Sequence, residues 1–95
     1  MYPQSKPQIR VSPVHVKSGD QVIMTGAGFT PNRSAMSHLL RPDETEYNPL
    51  RLRIDERGQI SHKIDTVMLS LGTFEAWVED EATQVVSNRT QFTVE

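Results

Sequence analysis

The sequence has no cysteine among its 95 residues, so neither a disulfide framework nor a thiolate zinc site can hold it together. It has no long apolar run either: nothing approaches the ~20 residues of a membrane-spanning helix. An excess of one charge is also missing. Ten basic residues face twelve acidic ones, a formal charge of −2, and no basic stripe offers the phosphate-neutralising surface that nucleic-acid binding uses. Aromatic residues are scarce, with one Trp, two Tyr and three Phe, so each one has to be placed individually. No helical periodicity of normal length occurs. The opening "MYPQSKPQIR" contains no apolar stretch and does not read as a secretory signal. The expectation is therefore either a complete protein made in the cytosol or a domain taken from a larger exported chain, with no cofactor and no insertion into a membrane.

What the sequence does contain is a series of short strand-like runs between turn signals, the pattern of an all-β sandwich or barrel. Residues 1–7, with two prolines and no apolar periodicity, read as an arm or linker, and 8–95 as the folded domain. Seven strands are expected, at 8–16 (broken by Pro13), 21–25, 35–40, 50–54, 60–64, 73–79 and 89–94. Pro13 removes a ladder donor and confines that point to an edge or kink. Leu50, Leu52 and Ile54 alternate with Arg51, Arg53 and Asp55, and Phe74, Ala76 and Val78 share one face. Such alternation predicts sheets with one side in water. "SAMSHLL" is the single stretch open to a helical reading; its position between turn signals favours a strand.

The segment "GDQVIMTGAGFTPN" poses a choice. A glycine loop that cradles phosphate sits between a strand and a helix N-terminus. Here Gly26-Ala27-Gly28-Phe29 follows a strand, but "TPNRSAM" carries no amphipathic helix, and the third glycine of a dinucleotide fingerprint is absent. The glycines are expected to let the strand end in a bend, so that Phe29 swings beneath the sheets and fills the end of the core. Gly28 should then tolerate no side chain.

These residues carry a resemblance. "KPQIRVSP" followed by "VKSGDQVIMTGAGFTPN" resembles the opening of immunoglobulin-like early-set domains of the IPT/TIG type. "RPDETEY" is similar to the P-D-G-T hairpin of bacterial and phage immunoglobulin-like modules, "IDERGQISHKID" to their D-x-x-G hairpin, and "SLGTFEAWVEDEATQVVSNRTQFTV" to their G-T-Y-x-x-x-V-x-D and S-N-x-x-x-F-x-V ending. The likeness covers residues 7–95. Glu44 stands where the first hairpin prefers glycine, which implies a different turn type, and Ser70-Leu71 replaces a proline pair. With no cysteine pair and no tryptophan on the third strand, antibody-type packing is excluded. The resemblance implies an immunoglobulin-like β-sandwich of about seven antiparallel strands without a disulfide, used as a spacer, adhesive or interaction module.

Among candidate sites, Trp77 is opposite in phase to Phe74, Ala76 and Val78, which places it on the outer face of its sheet. There it either anchors a protein interface or a sugar ring, or lies across Arg89 or Gln91 as cross-strand cover. Trp77, Arg89, Gln91 and, in the arm, Tyr2 are the expected partner-binding residues. Asp43, Glu44, Asp80 and Glu81 fall in connecting loops without a calcium-loop spacing and read as solvated acids. His15, His38 and His62 lie on separate strands and read as surface or boundary residues rather than metal ligands. The sequons at Asn32 and Asn88 read as chance. No nucleophile elbow or paired acid supports catalysis.

The expected function is thus a non-enzymatic structural or protein-interaction module. One form is a bacteriophage virion decoration or accessory protein that docks on a capsid or other virion protein. The other is an accessory domain of a bacterial extracellular surface protein or glycoside hydrolase, with neighbouring domains, and further a carbohydrate, as partners.

Overall fold

A computed structural model describes residues 6–95. Eight strands run in chain order: β1 (Gln8–Ser12), β2 (His15–Val16), β3 (Gln21–Ala27), β4 (Ser34–Leu40), β5 (Leu50–Arg53), β6 (Ile60–Asp65), β7 (Gly72–Asp80) and β8 (Thr90–Val94). They form two sheets, three-stranded β1-β3-β6 and five-stranded β2-β8-β7-β4-β5. All pairings are antiparallel except β2 with β8. "SAMSHLL" is a strand, and among the described residues no helix is long and apolar enough to cross a membrane.

The alternation in the sequence builds the core directly. Ile9 and Val11 of β1, Val22 and Met24 of β3, and Ile60 of β6 point inward from the smaller sheet; Ala35, Phe74, Ala76, Val78, Phe92 and Val94 meet them from the larger one. Phe74 and Phe92 pair across β7 and β8 and stack at 5.3 Å between ring centroids. Burying one such ring stabilises the fold by about 2–3 kcal/mol.

Three sequence expectations need correction. The first strand is two strands: Pro13 lacks the donor needed to continue the ladder, and the chain crosses there from the smaller sheet to the larger, where β2 runs parallel to β8. β3 continues through Gly26 and Ala27, which still pair with Ile9 and Gln8, so the bend begins at Gly28. Leu50, expected to point into the core, is 50% exposed. It opens β5, which edges the five-stranded sheet where only three strands face it.

The bend after β3 is structural. Phe29 is 4% exposed, packed in the core. Gly28 adopts φ +86°, and a Cβ there would come within 3.3 Å of the Pro7 Cα. A Cβ on Gly26 would press Ile9, Ile60 and the Phe29 ring at 2.9–3.0 Å. The Phe29 amide donates to the Gly58 carbonyl at 3.1 Å, tying the bend to the β5–β6 turn, which crosses from the larger sheet to the smaller instead of closing the hairpin expected from the sequence. A strand, β4, follows the bend in the place a phosphate loop would need a helix.

The strand ends sort into two poles. Pro7, the β3–β4 bend, the β5–β6 turn and the β7–β8 connection meet at one; the β2–β3 turn, residues 41–49, residues 66–71 and Glu95 meet at the other. The body extends 44 Å along its long axis and 23 by 22 Å across it.

Candidate interaction face around Trp77

The register of β7 decides what surrounds Trp77. On one side β4 sets His38 opposite it; on the other, β8 sets Gln91 opposite Glu75 and leaves Arg89 just beyond the pairing. Because Phe74, Ala76 and Val78 face inward, Glu75, Trp77 and Glu79 share the outer face, as expected. Trp77 is not exposed, however: only 9% of it reaches solvent. His38 stacks on it with ring centroids 5.3 Å apart and planes 2° from parallel, and the Arg89 guanidinium lies 4.1 Å from its ring centre. The cross-strand cover proposed for Arg89 is present, with a second cover, His38, from the opposite strand. No composition or spacing signal could supply His38, because its contact depends on which strand pairs with β7 and in what register.

Charge holds the arginine cover in place. Arg89 Nη1 donates to Glu75 Oε1 at 2.8 Å, and Gln91 Nε2 to Glu75 Oε2 at 3.4 Å. These bonds, the one from Arg89 first, hold the Glu75 carboxyl below its ordinary pKa. His38 sits between Glu46 and Glu79, with Nδ1 3.5 Å from Glu46 Oε1 and Nε2 4.0 Å from Glu79 Oε1. Its Nδ1 is buried and makes no hydrogen bond. Trp77, Arg89 and Gln91 are thus brought together on one face; Tyr2 lies outside the described residues.

The loop residues behave differently from the sequence reading. Asp80, taken for a solvated acid, is 2% exposed. Its Oδ2 accepts from the Thr30 amide and hydroxyl, both at 2.8 Å, and its Oδ1 from the Ala82 amide at 3.0 Å. Burial pushes its carboxyl up, but the bonds from Thr30, Ala82 and Thr83 outweigh burial and leave the pKa below the usual carboxylate value. Glu81 pairs with Arg51 at 3.0 Å. Asp43 accepts from the Thr45 side chain and amide, which lowers its pKa. Glu44 itself adopts φ +69°. It takes the left-handed position that a glycine would occupy, and the Glu44 amide donates to the Arg41 carbonyl at 2.9 Å, so the turn is not replaced by one that avoids positive φ.

Asn88 accounts for part of the closing S-N motif. Its Oδ1 accepts from the Ile9 amide at 2.7 Å and its Nδ2 donates to the Ile9 carbonyl at 3.0 Å, so the amide nitrogen that a sugar would need is used to dock β1. Ser87 Oγ accepts from the Val78 amide at 2.9 Å. His62 faces the interior opposite Met24, and burial lowers its pKa. Among the described residues no three His, Asp or Glu side chains converge on a common point.

No family model matches the sequence, and no curated protein does. Solved structures do match. The native conformation of Escherichia coli alpha-2-macroglobulin is similar over 98% of this chain, with a TM-score of 0.70 and 19% identity. Chitinase ChiW of Paenibacillus sp. str. FPU-7 is similar over 96%, at 0.58 and 13%. The CARDB domain of PF1109 from Pyrococcus furiosus, solved with di-metal ions, is similar over 95%, at 0.53 and 12%, and 86% of that chain is covered. This chain spans only 6% of the macroglobulin and 8% of the chitinase. At these identities the likeness is one of fold: the chain is an all-β, immunoglobulin-like sandwich, closed without a disulfide.

Proposed function

We propose that this chain serves as a non-enzymatic accessory module of a larger bacterial surface protein, spacing and holding the domains on either side of it. The observation that carries this reading is polar placement. Pro7 lies beside the β3–β4 bend at one end of the strands and Glu95 beside the β2–β3 turn at the other, so domains joined in series would stand apart rather than side by side. The structural likenesses support it: the same fold recurs as a small part of two long bacterial chains, and ChiW is described as a cell-surface-expressed, multi-modular enzyme machinery. The affinity to IPT/TIG-type domains, carried by the glycine bend and the S-N ending, belongs to the same proposal. The virion-decoration reading has no comparable support, since none of these similar structures is a phage protein.

An immunoblot of the producing cells tests the reading. The expected result is a band well above the 10.8 kDa of this chain, sensitive to protease added to intact cells. A species of the chain's own mass that copurifies with phage particles would overturn it.

A further inference from the structure

The Trp77 face is crowded, and Arg51 and Arg89 on it are paired with Glu81 and Glu75. From the outer face of the smaller sheet and the β5 edge beside it we infer a binding site for an acidic oligosaccharide: the cleft over the C-terminal end of β3, with Arg10 and Arg53 as the carboxylate-binding groups.

The cleft, about 600 Å³, falls within the range of small-ligand sites. It exists because the central strand carries small side chains there. Thr25 and Ala27 point outward while Gly26 between them packs against the core. β1 brings Arg10 alongside Thr25, and β6 brings Ser61 to its other side. Arg53 and Gln59, at the two ends of the β5–β6 turn, complete that side.

Charge and hydrogen-bonding state suit this cleft to an anion. Arg51 and Arg89 are held by Glu81 and Glu75 at 3.0 and 2.8 Å. Among the described residues neither Arg10 nor Arg53 meets a carboxylate. The one acid among the described residues lining the cleft, Asp55, is engaged in its own turn, where Oδ1 accepts from the Arg57 and Gln59 amides at 2.8 and 2.9 Å. Two guanidinium groups are suited to bidentate carboxylate recognition. Thr25, Gln59 and Ser61 add neutral donors and acceptors of the kind that sugar hydroxyls require.

Other anionic polymers fit less well. Among the described residues the cleft has no aromatic side chain on which a base could stack. β3 is paired on both edges, so its backbone offers no ladder to an acidic peptide. The inference stands whether or not the chain is part of a larger protein, and its failure leaves the modular reading untouched.

The test is amide chemical-shift mapping with trigalacturonate, its neutral methyl ester and an oligoglutamate peptide. Saturable binding of trigalacturonate, with shifts centred on Arg10, Thr25 and Ser61, is expected. Arg10→Gln and Arg53→Gln should each weaken it about tenfold, the weight of one charge-assisted contact. Ala27→Trp, which fills the floor but leaves both arginines, should abolish it; a dispersed spectrum of each variant verifies folding. The inference is overturned if trigalacturonate fails to bind, if the ester binds as well as the acid, if oligoglutamate binds as tightly, or if the arginine variants are unchanged.

Discussion

Several side chains here act through the backbone groups they satisfy. Asp80 gathers amide and hydroxyl donors in a place water hardly reaches. Asp80→Asn keeps the shape but turns one acceptor into a donor facing the Ala82 amide, and should cost about 2 kcal/mol in chemical denaturation. The pH dependence follows from the same bonds. The folded-state pKa of Asp80 lies below its unfolded value of about 3.9. Its stabilisation is therefore complete above that value and is lost as pH falls through the folded pKa. Thermal melts taken downward from about pH 5 should show the native chain losing stability faster than Asp80→Asn. Asn88→Asp replaces the donor to the Ile9 carbonyl with a second acceptor and should destabilise by about 2 kcal/mol. Glu44→Gly removes a side chain held at positive φ. It should raise the melting temperature slightly, because the steric relief of about 1–2 kcal/mol exceeds the added freedom of the unfolded chain.

At the scale of strands, β7 organises the larger sheet, with Phe74, Ala76 and Val78 inward and Trp77 clamped outward between neighbours on both sides. Trp77→Ala empties the space between His38 and Arg89 and should cost about 3 kcal/mol. If the face is cover rather than contact, binding to neighbouring domains, measured on folded protein, should not change. The phase of Trp77 was legible because alternation around Phe74 is local. Its burial was not legible, because His38 arrives from a strand 39 positions earlier in the chain. The same division runs through the rest. Strand positions and the fate of Phe29 follow from period-two patterning and glycine chemistry near at hand. The split at Pro13, the recruitment of Asp80 by Thr30, and the cleft beneath Arg10 and Arg53 depend on pairings between distant segments. Gly58 also belongs to this scale. A Cβ there would fall 2.5 Å from the Phe29 carbonyl oxygen at φ +77°, so Gly58→Ala should loosen the β5–β6 turn from the bend and lower stability by about 2 kcal/mol in thermal unfolding.

For the molecule as a whole, the crossing at Pro13 has a consequence under load. β2 and β8 run in the same direction, and Val14 and Val16 accept from the Thr93 and Glu95 amides at 2.8 Å each. Tension drawing the two poles apart pulls β2 back toward its start and β8 onward toward its end. The bonds between them are then sheared together rather than unzipped one by one. Single-molecule stretching should show one abrupt rupture, and replacing Val16 with proline, which leaves its accepting carbonyl in place but displaces the strand, should bring that rupture to lower force. A link in a chain exposed to flow or traction would thereby resist first at its tightest seam.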